Sequence, residues 1–373
     1  MIRARLYRVQ MKLPKPFGHA RATRSEADDL VLVLDVDGVI GVGECVPRDY
    51  VTGETVEGAF DAISKIDLDR LAAALDATSF ADGVQRIAAL ELPGLAARCA
   101  VELALLDVLG KRTGTSLAAL ALPHRASRRA IPKSRALDLL AAPEDLTRGL
   151  YAPDHVKLKG STDAALDLAR TRAVRELFGD RVTISIDANM AWTRDEALAR
   201  WDAVAPYGVA WLEEPLAQYA LADYRALRER GVRVMLDESL CAYADGERAL
   251  AAGACDLFNI RISKHGGLIP ALRLAELAHG SGVGIHLGVH PGQTGVLGAA
   301  GAHFMASVGA LVACEGVETW IGTGGMPERI IAEPLRFDAS TRRCEALGAV
   351  GLGVTPVIEV IERHATQQIT LAR

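Results

Sequence analysis

Five short apolar runs in this chain each end in a charged side chain, and each falls one repeat after the last. They are His155-Val-Lys157-Leu-Lys159, Ile184-Ser-Ile-Asp187-Ala-Asn189, Trp211-Leu-Glu213-Glu214-Pro215, Val234-Met-Leu-Asp237-Glu238 and Asn259-Ile-Arg-Ile-Ser-Lys264. Lysine, three carboxylates, then lysine is a set a hydrophobic core does not ask for. Three carboxylates within a few ångströms repel one another unless a cation sits among them. All-oxygen ligands select a hard ion, and three of them leave room for water or substrate in an octahedron, which favours magnesium, with manganese as a substitute. Asp187, Glu213 and Asp237 are the candidate ligands, and Lys159 and Lys264 the candidate acid and base.

A substrate carboxylate on such an ion would hang its α-carbon between the two lysines. Removing the α-proton leaves an enediolate, whose extra negative charge the metal offsets as it develops. Lysine serves as a base at neutral pH once a neighbouring cation lowers its pKa, and Lys157 is that cation for Lys159. Two lysines on opposite faces of one carbon can take a proton from one side and return it on the other, which inverts a stereocentre.

The elements that position these groups follow from periodicity. Side chains alternate along a strand, so Lys157 and Lys159 share a face, as do Asp187 and Asn189. Steps of 28, 26, 24 and 27 residues from Lys159 through Asp187, Glu213 and Asp237 to Lys264 match one strand, one helix and two short loops. Eight such units are expected, their apolar runs starting near Ile131, Val156, Val182, Val209, Val232, Leu257, Val283 and Val312. They describe a (β/α)8 barrel of the TIM type over 129–328, with chemistry at the C-terminal rim. Lys159 then ends strand two and Lys264 ends strand six on the opposite wall. An open doubly wound sheet is the alternative architecture, but Ile131-Pro-Lys-Ser-Arg-Ala lacks its glycine-rich phosphate turn.

Ahead of the barrel, residues 1–128 read as an α+β cap: a meander over Ile2–Met11, Leu30–Val36 and Val39–Glu44 with an Asp37-Gly38 hairpin turn, then helical periodicity around Leu95–Leu109. Residues 329–373 carry a further strand and helix that return to the cap. Of 373 residues half are apolar, and the net charge is −5. Nothing in that balance points to nucleic acid or a membrane, and no apolar run is of spanning length. No signal-peptide core follows Met1, so a cytoplasmic protein is expected. The six cysteines form no CxxC pair and read as buried thiols. A homo-oligomer stays open.

The chain resembles the enolase superfamily, and within it the muconate-lactonizing subgroup of muconate cycloisomerases, dipeptide epimerases, N-acylamino acid racemases and o-succinylbenzoate synthases. The resemblance rests on Gly43-Glu44-Cys45, Lys157-x-Lys159, Asp187-x-Asn189, Glu213-Glu214-Pro215, Asp237-Glu238-Ser239 and Ser263-Lys264-His265-Gly266-Gly267. It implies that Glu213, the first glutamate of its motif, is the ligand. Asn189, Glu238, His290, Glu318 and Tyr50 are candidate substrate contacts or outer partners. Glu214 and Glu238 are expected to alternate away from the ligands and form salt bridges behind them. Lys15-Pro-Phe-Gly-His-Ala-Arg and Arg48-Asp-Tyr-Val-Thr-Gly53 are expected to be cap loops that close the site. The mandelate-racemase subgroup fits less well. His286 and His290 stand on the seventh run, yet the sixth ends in Lys264 where that subgroup has an aspartate. Dipeptide epimerases share an Asp-x-Asp pair at strand eight, and Cys314-Glu-Gly-Val-Glu318-Thr lacks it, whereas Glu318 stands roughly where lactonizing enzymes carry a glutamate.

Any one of the three carboxylates could simply cap the following helix; three of them between two lysines at repeat spacing favour a metal. The reading is therefore a magnesium-dependent racemase or epimerase of an amino acid derivative, a small-molecule carboxylate. A cycloisomerase or β-elimination enzyme, needing only one lysine, is the alternative within the same chemistry. A non-catalytic metal- and carboxylate-binding protein is the alternative outside it. A metallohydrolase would show His-x-His on the first strand, and Ile131–Leu137 holds no histidine.

Overall fold

The computed structural model describes residues 1–19, 22–120, 132–147, 152–308, 310–315, 328–333, 335, 337–338, 343–344 and 350–373. Ile131 and Glu318 lie outside the described residues.

The chain opens with an antiparallel meander, β1 (Ile2–His19), β2 (Ala22–Val36) and β3 (Val39–Cys45). Asp37 and Gly38, both at positive φ, close a two-residue turn between Val36 and Val39, the geometry that matches strand twist. The long helix Leu95–Thr113 packs on this sheet. Gly43 is what lets it approach, since a Cβ there would collide with the carbonyl oxygen of Ala100. One expectation is corrected. The segment 15–19, read as a loop, belongs to β1, where Phe17 pairs with Arg24 and Gly18 with Thr23 beyond a bulge after Lys12. Ladder hydrogen bonds continue because alternation in the polar tip, invisible as an apolar pattern, still satisfies the backbone.

Eight parallel strands follow: β4 (Ser134–Leu137), β5 (His155–Lys159), β6 (Thr183–Asp187), β7 (Val209–Glu213), β8 (Val234–Leu236), β9 (Leu257–Ile260), β10 (Gly284–Leu287) and β11 (Ala313–Cys314). They pair in sequence order. A parallel bridge between Lys133 and Cys314, with Cys314 N donating to Pro132 O at 2.8 Å, joins the last strand to the first and closes the barrel. The strands are buried on both faces, and so read as short continuous apolar runs. Two of the helices between them start at local side-chain caps. Asp163 caps Ala164–Phe178, and a Thr193/Glu196 capping box opens Arg194–Val204.

Beyond the barrel, β12 (Phe337–Asp338) pairs with β13 (Arg343–Cys344). After the helix Ile358–His364, β14 (Ala365–Ala372) adds to the cap sheet beside β1. Among the described residues no helix is long and apolar enough to cross a membrane. Cys45, Cys99, Cys241 and Cys255 are buried free thiols, and Cys314 is buried as well.

The cap is fastened to the barrel through helix ends. The helix Leu268–Gly280 has no side-chain cap of its own; Glu102 of the cap supplies one, accepting from Ile269 N at 2.9 Å. Glu44 does the same for Gly295–Val308, accepting from Thr294 N and Oγ1 at 2.6 Å each and from Leu297 N at 2.9 Å. A carboxylate at a helix N-terminus satisfies orphan N–H groups and opposes the helix dipole. Val46 N also donates to Ser263 Oγ at 2.8 Å, so the cap grips the turn that carries Lys264.

Candidate active site

Strand register builds the site. Lys159 on β5 pairs with Asp187 on β6, Asp187 with Glu213 on β7, and Glu213 with Met235 on β8. Asp237 lies two residues past Met235 and just beyond its strand. One rim of the barrel therefore carries Lys159, Asp187, Glu213 and Asp237 as neighbours, all buried.

Lys159 Nζ donates to Asp187 Oδ2 at 2.5 Å and to Asn189 Oδ1 at 3.0 Å. Asn189, at φ 47°, turns its amide between this lysine and Glu238, to whose Oε1 it donates at 3.1 Å. Lys157 points the same way and lies 3.4 Å from Asp187, 3.2 Å from Glu213 and in an ion pair with Glu315. Burial works against its charge, but Glu213, Glu315 and Asp187 outweigh burial and carry its pKa above the ordinary lysine range. In return, and against burial, Lys157 holds Glu315 down to about 2. Lysines 159 and 157 likewise overcome burial to hold Asp187 below the usual carboxylate range.

Lys264 is placed differently from the expectation. β9 ends at Ile260, and Lys264 stands four residues on, in the turn leading to Leu268. Its ammonium donates to Asp237 Oδ1 at 2.6 Å, Asp237 O at 2.7 Å and Asn259 O at 2.9 Å. Three acceptors hold it in full burial, and the residue that reaches the cavity from this turn is Arg261, paired with Asp237 Oδ2. Burial and the Arg261 charge lower the Lys264 pKa to about 7.

The two glutamates expected behind the ligands are also corrected. Among the described residues Glu214 makes no salt bridge; it accepts from Asp237 N at 2.6 Å, from Tyr224 OH at 2.9 Å and from Ser239 Oγ, and burial pushes it up to about 7. Glu238 lines the cavity, because it lies in the turn after β8 where strand alternation no longer applies. Burial, Glu214 and Asp187 push it up to about 8.

Over this rim lies a cavity of about 140 Å³. Lys157, Lys159, Asn189, Glu238, Arg261 and Glu315 form its polar side. Phe17, His19 and Tyr50 reach over it from the cap, with Val289 and Pro291 from the turn after β10. His19 packs on Tyr50 at 5.6 Å between ring centroids, and burial, then Lys159, lower its pKa to about 4. His290, between two lining residues, is itself buried, with no hydrogen-bond partner for Nδ1 among the described residues. His286 points into the barrel and packs against His155 at 5.9 Å, away from the cavity wall. Glu315, Arg261 and Asn259 are site residues the sequence reading did not single out. A charged residue directly after an apolar run was the available signal for Glu315, and Arg261 stands inside a quoted motif.

Among the described residues no three His, Cys, Asp or Glu side chains stand close enough to hold an ion as they are; ammonium and guanidinium groups lie between the carboxylates. The donor set still fits a hard cation. Among the described residues Glu213 Oε2 is buried with no hydrogen-bond or ion-pair partner, while Asp237 Oδ2 is taken by Arg261. Glu213 is pushed up by burial and by the neighbouring Asp187 charge, the crowding of like charges that a cation relieves.

Two family profiles match the chain. Residues 1–121 match "Mandelate racemase / muconate lactonizing enzyme, N-terminal domain" and residues 144–360 match "Enolase C-terminal domain-like". The chain is 30% identical over 286 residues to a D-Ala-D/L-Ala epimerase of Cytophaga hutchinsonii, covering 74% of this chain and 76% of that one. It is 30% identical over 355 residues to muconate cycloisomerase 1-2 of Acinetobacter lwoffii, covering 90% and 87%. The crystal structure of a dipeptide epimerase from Cytophaga hutchinsonii, complexed with Mg and the dipeptide D-Ala-L-Val, superposes with a TM-score of 0.82 at 23% identity over the whole of both chains. Barrel, cap and profile matches agree, and the chain belongs to the enolase superfamily, in its muconate lactonizing enzyme subgroup.

Proposed function

We propose that this protein is a divalent-metal-dependent racemase or epimerase acting at the α-carbon of an amino acid derivative. The observation that carries the reading is the rim itself, where Lys159 holds Asp187 at one end of the carboxylate arc, Lys264 holds Asp237 at the other, and a small cavity lies above. Asp187, Glu213 and Asp237 would hold Mg2+. When bound, that ion supplies the positive charge that offsets the second negative charge of an enediolate.

The protein's own groups do the rest. Lys264, with its pKa near 7, can give up its proton near neutrality, leave Asp237 and take the α-proton. The C–H bond breaks and its electron pair stays on the substrate. Lys159, protonated against Asp187, returns a proton to the opposite face, and reversal of the roles runs the reaction back. Asn189 and Glu238 position the Lys159 side, while Phe17, His19 and Tyr50 cover the cavity and keep water from the carbanion. The epimerases and racemases among its relatives support this class of substrate. Incubating the Mg2+-supplemented protein with single enantiomers of N-acyl amino acids and with dipeptides, followed by chiral separation, tests it; product of inverted α-configuration is expected.

One observation favours a second reading, a cycloisomerase. Lys264 is tied to three acceptors, whereas Lys159 and Glu315 both line the cavity, an arrangement sufficient for one-base chemistry. Lys159→Ala and Lys264→Ala separate the readings, since a one-base enzyme keeps its activity in one of them.

A further inference from the structure

Asn259, uncharged and fully buried on β9, makes a contact that its strand position does not explain. Its Nδ2 donates to Glu213 Oε1 at 2.7 Å, reaching past the intervening strand β8. Its Oδ1 faces His286 Nδ1 at 3.1 Å, and His286 is its in-register partner on β10. With Nδ2 turned to a carboxylate, Oδ1 must accept, so His286 carries its hydrogen on Nδ1. Nε2 is then a bare acceptor, and among the described residues it has no hydrogen-bond partner. Gly288 completes the arrangement, because a Cβ at that position would collide with Asn259 Oδ1. Ring donor and missing side chain, two residues apart, both serve the orientation of one amide.

We propose that Asn259 is the positioning residue of Glu213, with His286 locking its amide and Gly288 making the space. Together with Lys157, at 3.2 Å, it binds down Oε1 and leaves Oε2 as the open oxygen, buried and without a hydrogen-bond partner among the described residues. The inference rests on the reading of Glu213 as a ligand for a divalent ion. Outer partners that orient a ligand are typically worth roughly 10- to 100-fold in metal affinity.

The test is calorimetric titration of Mg2+ into the metal-stripped full chain, alongside thermal unfolding of the same metal-free samples. Asn259→Leu should weaken Mg2+ binding roughly 10- to 100-fold. His286→Phe and Gly288→Ala, which touch no ligand, should weaken it in the same direction. The double variant Asn259→Leu/His286→Phe should be no weaker than Asn259→Leu alone, because His286 acts only through Asn259. Should Asn259→Leu fail to fold, His286→Phe and Gly288→Ala carry the test. Wild-type affinity in a folded Asn259→Leu, unchanged affinity in both seventh-strand variants, or losses that multiply in the double variant overturn the role. A wild-type chain that takes up no Mg2+ overturns the ligand reading first, and this role with it.

Discussion

Lys159 and Asp187, in register on adjoining strands, meet end to end at 2.5 Å, and the cavity opens onto the Lys159 side of this pair. In the proposed reaction the proton that Lys159 would deliver is therefore held by a fixed partner before it moves. Lys159→Met, which keeps the length of the side chain and removes the proton, should lower turnover by roughly 10²- to 10⁴-fold. Substrate binding followed by calorimetry should change far less.

Two opposed lysines predict a stereochemical split. In Lys264→Ala the remaining lysine can exchange the α-proton of only one enantiomer, so inversion stops while exchange with solvent continues for that enantiomer. Nuclear magnetic resonance of each enantiomer in deuterated buffer reads this out. Equal exchange of both would contradict two-base chemistry.

Crowded carboxylates predict that a cation stabilises the fold. At a Mg2+ concentration 100 times the dissociation constant, one site contributes about 2.7 kcal/mol. The unfolding temperature should rise with Mg2+ in the wild type and fall back on chelation. In Glu213→Gln, which removes a charge at the arc's centre, the rise should be lost or much reduced.

Glu44 predicts a pH dependence unconnected with the cavity. Burial raises its pKa from an ordinary 4.5 to about 7, with Thr294 and Leu297 as donors limiting the rise. Between these values the folded chain holds a proton that the unfolded chain has lost, so this contribution favours folding at low pH and is lost as pH rises through 7. The difference in unfolding free energy between wild type and Glu44→Gln should shift by up to about 3 kcal/mol across that window, the wild type losing relative stability as pH increases.

How much of this was legible before the structure depends on where strands end. Lys159, Asp187 and Glu213 are last residues of their strands, so alternation and repeat spacing exposed them. Lys264 kept the spacing but sits in a turn, where position within the repeat says nothing about direction, and its burial behind Arg261 was hidden. Glu238, a candidate substrate contact or outer partner, lines the cavity from the same kind of turn, where alternation does not tell which way a side chain points. Glu315 meets Lys157 only because the barrel closes; no local pattern joins residues so far apart. The ribbon carrying Phe17 and His19 is polar and half exposed at its tip, so its strand character left no apolar signature.

The proposed reaction breaks and remakes an α-carbon–hydrogen bond. The most direct measurement is deuterium incorporation from solvent at the α-carbon of N-acyl amino acids and dipeptides, with Mg2+ bound. Incorporation accompanied by inversion, abolished in Lys159→Met, is the expected result. A protein that binds Mg2+ and these carboxylates yet leaves every α-proton in place would contradict the account.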